Sequence, residues 1–187
     1  MMNRTAIDPL SSEAQVAELM HQERWEAAVN LIGDVAVEVR SGKLNWNHGW
    51  ALFRLGRFTE AAQAFRRSAL QDPSNRALSH WALGVVLREA GDLAPAEAHL
   101  LKALSIQDSG LARLNLAVLY MAQRRFEDAE RVHLEGLRLK PTNRERLEAY
   151  ADFLDDTARE TEANEVRARA STLPRRRKTR RREADDD

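Results

Sequence analysis

The 187-residue chain contains no cysteine. That removes disulfides, thiolate metal sites and cysteine nucleophiles together, and leaves the redox compartment open. The opening MMNRTAIDPLSSEAQ lacks an apolar run long enough for a signal peptide, and no later stretch approaches a membrane span. A cytoplasmic protein with no transmembrane segment is the expectation, and the length suits one domain with a sizeable core. Lysine is scarce, at Lys43, Lys102, Lys140 and Lys178 alone, so arginine carries most of the positive charge. No function follows from that bias.

Catalytic signatures are missing as well. There is no glycine-rich phosphate loop, nucleophile elbow or dinucleotide fingerprint. The five histidines, His21, His48, His80, His99 and His133, are scattered without the short His and carboxylate spacings of a zinc site. They read as packing or surface residues. Asp155 and Asp156 are adjacent, so on a helix they point in different directions and make no acid–base pair. Neither an enzyme nor a cofactor or metal site is expected.

What is present is a repeat. In ALSHWALGVVLREAGDLAPAEAHLLKAL, residues 77–104, small residues stand at Gly84, Gly91, Ala96 and Ala103 with bulky apolar residues between them, the pattern of a helix, a tight turn and a second helix. Upstream, Gly49, Leu52, Gly56, Phe58, Ala61, Phe65 and Pro73 precede Gly84, Leu87, Gly91, Leu93, Ala96, Leu100 and Asp108 by 35 residues throughout. Downstream, Ala117, Tyr120, Phe126, Ala129, His133, Gly136 and Pro141 follow 33 residues on, with Arg124 where the other turns have glycine. Small residues let two helices approach closely, and a lone pair cannot bury the face this leaves. Stacked pairs can.

Two weaker units flank these. Ser11 or Ser12 is expected to cap a helix to about Gln22, followed by a second with Trp25, Ala28, Ile32 and Val35. At the other end Leu147, Tyr150, Ala151 and Leu154 precede Ala163, Val166 and Ala170, and the turn TARET has no glycine. A polar second helix there is what a terminal cap needs. These residues resemble the tetratricopeptide repeat family over roughly 11–173. The resemblance implies an all-α, right-handed α-solenoid of about five repeats, at about 11–41, 42–75, 77–109, 110–143 and 144–173, after a loose leader (1–10). It also implies a non-catalytic scaffold that binds a peptide or helix of another protein, adaptor or chaperone-like, in a concave groove lined by first helices. Asn45, His48 and His80 depart from the pattern, standing where it has large apolar residues.

On that geometry the groove receives Trp46, Trp50 and Phe53, then Leu78, Trp81, Val85 and Arg88, then Leu111, Leu114, Val118 and Met121. Burying a tryptophan of this kind is worth about 1.5–3 kcal/mol, so either neighbouring helices or a ligand must cover these rings. The first possibility has them replacing core lost at the three polar positions. The second makes them anchors for an apolar ligand. Lysine, arginine and asparagine are absent from Trp46, Trp50, Trp81 and Val85, which argues against a groove that grips a terminal carboxylate.

The formal charge is zero but unevenly spread. Residues 174–187 hold seven basic and four acidic side chains, leaving 22 basic and 25 acidic in the body, a net of −3. In the last repeat Glu145, Glu148, Asp152 and Asp155 share one helical face, either a solvated surface or an acidic end to the groove that selects a ligand with a basic flank. The strip Arg175, Arg176, Arg177, Lys178, Arg180, Arg181 and Arg182 has no apolar surface to pack and is expected to be disordered. It suits non-specific contact with nucleic acid or an anionic surface, the solenoid then serving to recruit. It equally suits self-association, by docking on the acidic face of a second copy, or a solubilising role alone. Without an aromatic platform or recognition helix, sequence-specific reading of nucleic acid is not supported.

Overall fold

The computed structural model describes residues 9–174, with side chains from Ser12 onward. Among the described residues the chain forms ten α-helices, two one-turn 3-10 segments and no strand. The helices are α1 (Pro9–His21), α2 (Trp25–Asp34), α3 (Gly42–Arg54), α4 (Phe58–Gln71), α5 (Arg76–Glu89), α6 (Leu93–Ile106), α7 (Gly110–Ala122), α8 (Phe126–Leu139), α9 (Arg144–Asp156) and α10 (Glu160–Ser171). Two compact units divide the chain, residues 1–129 and 130–187, with the boundary inside α8. In the first unit α1 packs on α2, α3 on α4 and α5 on α6, while α2 and α4 each pack on the next helix along. In the second, α9 pairs with α10.

One expected boundary moves. Helix α1 starts at Pro9, so Ser11 and Ser12 lie in its first turn and do not cap it. Proline costs nothing there, because its missing N–H would have no intrahelical partner. Capping by side chains occurs elsewhere: Ser41 Oγ accepts from Leu44 N at 3.0 Å and Asn143 Oδ1 from Arg146 N at 2.9 Å.

Every hairpin turn passes through one left-handed residue, at Glu23, Gly56, Gly91, Arg124 and Ala158. The residue after it closes a six-residue ring to the preceding helix, as when Arg57 N donates to Leu52 O at 2.9 Å and Arg159 N to Leu154 O at 2.8 Å. Only two of the five are glycine. The glycine-free turns around Arg124 and Ala158 therefore reach the same geometry with a side chain that disfavours it.

Packing inside the first unit follows the small residues. A Cβ on Gly84 would stand 2.5 Å from Leu100 Cγ, and one on Gly49 would stand 2.9 Å from the Phe65 ring. Phe65 and Leu100 are themselves fully buried. A core of Ala28, Val29, Ala51, Leu52, Ala61, Phe65, Ala82, Leu83 and Val86 runs through α2, α3, α4 and α5. The second unit buries Leu147, Tyr150, Ala151, Phe153 and Leu154 from α9 but only Ala163 and Ala170 from α10.

The polar residues at expected apolar positions are only partly accommodated by partners, Asn45 Oδ1 and His48 Nδ1 being enclosed without one among the described residues. Asn45 is fully buried and its Nδ2 donates to Gln71 Oε1 at 2.6 Å. Ser79 Oγ donates to Ser68 Oγ at 3.1 Å, a buried link from α5 to α4. His80 meets His99 of α6, with Nδ1 atoms 3.0 Å apart. His48 has no such partner at Nδ1, and burial, with help from Arg40 and Arg57, pushes it down to about 4.

Candidate partner-binding face

The first helices α3, α5 and α7 carry the residues expected to line a groove, and all of them lie in the first unit. The aromatic ones are anchored in it. Trp46 meets Phe65 edge-on at 5.0 Å, Trp50 lies 5.4 Å from Phe53, and Phe53 lies 5.9 Å from Phe58. Trp46, Trp50, Phe53 and Trp81 all pack against the buried core of α2 to α5, and all four are half-buried. The indole N–H of Trp81 is enclosed and has no acceptor among the described residues. Neighbouring helices thus cover much of each ring, and the aromatic side of the face is partly structural.

Openness is greatest one helix further on. Leu111, Leu114 and Val118 on α7 are 52%, 43% and 44% exposed, and Leu78 on α5, 33 residues before Leu111, is 37% exposed. Their spacing of three and four places the α7 residues on one helical face. Helix α5 packs directly on α7. Val85, Arg88 and Met121 are half-buried beside them. The sequence pattern puts all these positions on the groove side and makes the tryptophans its candidate anchors. What it lacked was the depth of each: α3 presents large rings whose inner edges reach the core, whereas α7 presents short aliphatic side chains that stop at the surface.

Charges on these helices are paired locally. Arg88 bonds Glu89 at 2.6 Å and Lys43 lies 3.5 Å from Glu13. Arg54 lies 3.9 Å from Glu23 and stacks its guanidinium over Trp25 at 4.4 Å. The face offers a ligand apolar surface and little net charge.

The acidic cluster is on α9, in the second unit. Arg144 Nε donates to Glu148 at 2.7 Å, and Arg167 of α10 bonds both Asp155 and, at 3.3 Å, Asp152. Glu145 is exposed. Three of the four carboxylates are therefore engaged by arginines of their own unit, because α10 brings Arg167 across to a face that α9 alone leaves anionic. The basic strip, Arg175, Arg176, Arg177, Lys178, Arg180, Arg181 and Arg182, lies outside the described residues. Among the described residues no group of three or more histidine, aspartate or glutamate side chains is placed to hold a metal ion. No described helix is long and apolar enough to cross a membrane.

Two tetratricopeptide repeat family models match this chain, over residues 47–110 and 112–146. No curated protein matches it. Among solved structures it is similar to MamA from strain AMB-1, at 20% identity and a TM-score of 0.63 over 88% of this chain and 91% of that one. It is similar to MamA from strain MSR-1, at 18% identity and a TM-score of 0.62 over 88% of this chain and 95% of that one. A MamA chain from Desulfovibrio magneticus RS-1, spanning residue 41 to its end, superimposes with a TM-score of 0.69 at 15% identity, over 92% of this chain and 96% of that one. With the repeat spacing, the shared left-handed turns and both family matches in agreement, the chain belongs to the tetratricopeptide repeat family.

Proposed function

We propose that this protein is a non-catalytic scaffold for protein–protein interaction, and that the face formed by α3, α5 and α7 takes one amphipathic helix of a partner protein. The observation that carries the reading is the exposed aliphatic row Leu111, Leu114 and Val118, continued by Leu78 on α5. Exposed apolar side chains grouped at helical spacing mark interaction surfaces more often than singly scattered ones do. From Leu111 to Val118 the row spans about 10 Å, two turns of a helix, which suits a helical ligand with its own apolar stripe. Arg88, Lys43 and Arg54 have local carboxylate partners, so the occupant needs apolar anchors rather than charge. Trp81, Val85 and Met121 then flank that row on α5 and α7, while Trp46, Trp50 and Phe53 of α3 extend the apolar surface and hold the core.

Selection from a library of random 16-residue peptides displayed on phage, against the full chain, tests this. Enriched peptides are expected to carry apolar residues at intervals of three and four. They are expected to bind with little dependence on salt and to lose binding to a folded Leu111→Ser, Leu114→Ser, Val118→Ser variant. Peptides bound equally well by that variant, or no enrichment, would overturn the reading.

A further inference from the structure

Helices α5 and α6 are joined at their inner face by two imidazoles. The Nδ1 atoms of His80 and His99 stand 3.0 Å apart, the rings are within 23° of parallel, and their centroids are 5.2 Å apart. That centroid distance is close to the largest compatible with a 3.0 Å contact between the two nitrogens. The rings therefore meet edge to edge in nearly one plane, each Nδ1 aimed at the other, rather than stacking face on face. Such an arrangement satisfies one N–H···N hydrogen bond. One ring must donate from Nδ1 and the other must accept there, with its own proton on Nε2.

We propose that His80 and His99 form a proton-sensitive lock on the α5–α6 hairpin, closed while the two Nδ1 atoms share one hydrogen and forced apart when both carry one. With no added proton, or with one, a hydrogen remains between the nitrogens. The second added proton places N–H against N–H and two imidazolium charges in contact. The surroundings offer that state no relief: the charged groups acting on the pair are Arg76 of α5, Lys102 of α6 and Arg66 of α4, all cationic. Burial first, then Lys102 and Arg76 for His80, and His80 and Arg66 for His99, hold both histidines below their ordinary range. The pair sits beside the closest approach in the hairpin. Leu100, next to His99, packs where Gly84 has no side chain, and Trp81, next to His80, rests on the core. Separating the rings therefore strains the contact that fixes α5. Release of a bound partner helix by acid is a consequence that rests on the proposed face; the lock itself does not.

The test is a histidine titration followed by carbon–proton NMR on the full chain and on His99→Gln, with amide exchange measured at pH 7.5 and 5.0. In the intact protein the pair is expected to titrate in two separated steps. In His99→Gln the His80 step is expected to become a single uncoupled transition, displaced from its position in the intact protein, as decoupling of interacting sites requires. Amides of α5 and α6 are expected to exchange faster at pH 5.0 than those of α3 and α4, after correction for intrinsic rates, and the excess to vanish in the variant. A His80 titration unaltered by loss of His99, or uniform exchange along the first unit, would sink the proposal. Should His99→Gln fail to fold, the intact protein decides alone: overlapping, independent titrations of the two rings rule the lock out.

Discussion

Arg125, in the turn before α8, donates from Nη1 to Glu97 of the preceding hairpin at 2.8 Å. The relationship recurs 33 to 34 residues on, where Arg159 donates to Glu130 at 2.7 Å. Each arginine also bonds an acid in the first turn of the helix it precedes, Asp128 for Arg125 and Glu162 for Arg159, both at 2.7 Å. A buried tyrosine completes each set: Tyr120 Oη donates to Glu97 at 2.9 Å and Tyr150 Oη to Glu130 at 2.8 Å. Burial and these carboxylates push both phenols up to about 12. Tyr120→Phe and Tyr150→Phe are each expected to lower stability by about 1.5–3 kcal/mol, the range for a hydrogen bond to a charged partner. Urea denaturation at pH 7.5 measures it, and unchanged midpoints would mean that the arginines alone hold the glutamates.

The turns give a prediction of opposite sign. Gly91 has φ near 87° and open space where a Cβ would go, so Gly91→Ala suffers only the backbone penalty, about 1 kcal/mol. Ala158 already bears that penalty at φ near 60°. Ala158→Gly is therefore expected to stabilise by about 0.5 kcal/mol, the relief exceeding the added freedom of the unfolded chain. Thermal unfolding of both variants beside the parent checks the pair. A loss of stability in Ala158→Gly would contradict the strain assigned there.

These turns also mark what the sequence could carry. Helix identity and phase were legible because Gly84, Ala96 and Leu100 recur at fixed spacing with Gly49, Ala61 and Phe65, and the repeat makes that spacing visible. Partners across helices were not. Nothing in the sequence around Asn45 announces Gln71, 26 residues away, or in that around His80 announces His99, because the pairing depends on how two helices face each other. The α9 carboxylates read as a free anionic face for the same reason: Arg167 reaches Asp155 from a different helix. The candidate face was legible as a set of positions, while its gradient from anchored aromatics to open aliphatics depends on side-chain length against helix separation.

That gradient separates two kinds of variant. Trp46→Ala removes a ring lodged against Phe65 and is expected to cost about 3 kcal/mol, as truncated core aromatics do. Leu114→Ser and Val118→Ser touch exposed positions and are expected to stay within about 0.5 kcal/mol each. Denaturant midpoints decide it. A Trp46→Ala variant as stable as the parent would show the ring free of the core.

Stability is expected to fall as pH drops below about 6.5, and the sign comes chiefly from two half-buried histidines, His48 and His133, with His80 and His99 shifted in the same direction. Burial pushes His48 and His133 down to about 4 in the folded chain. The rings of Tyr150, at 5.9 Å, and Phe153, at 5.3 Å, are His133's neighbours. Unfolded, each histidine titrates near 6.5, so between 6.5 and 4 the unfolded chain binds protons that the folded chain refuses. Their contribution is complete above 6.5 and lost as pH falls toward 4, at a slope of at most about 1.4 kcal/mol per pH unit for each. Carboxylates held low by arginine, such as Glu60 and Glu162, add to the loss only in the acid range below their ordinary values. The window from pH 7 to 5 therefore isolates the histidines. His48→Leu and His133→Phe, which restore the apolar character of these repeat positions, are each expected to flatten unfolding free energy against pH in that window. If neither does, both rings are already protonated in the folded chain, and the burial assigned to them is wrong.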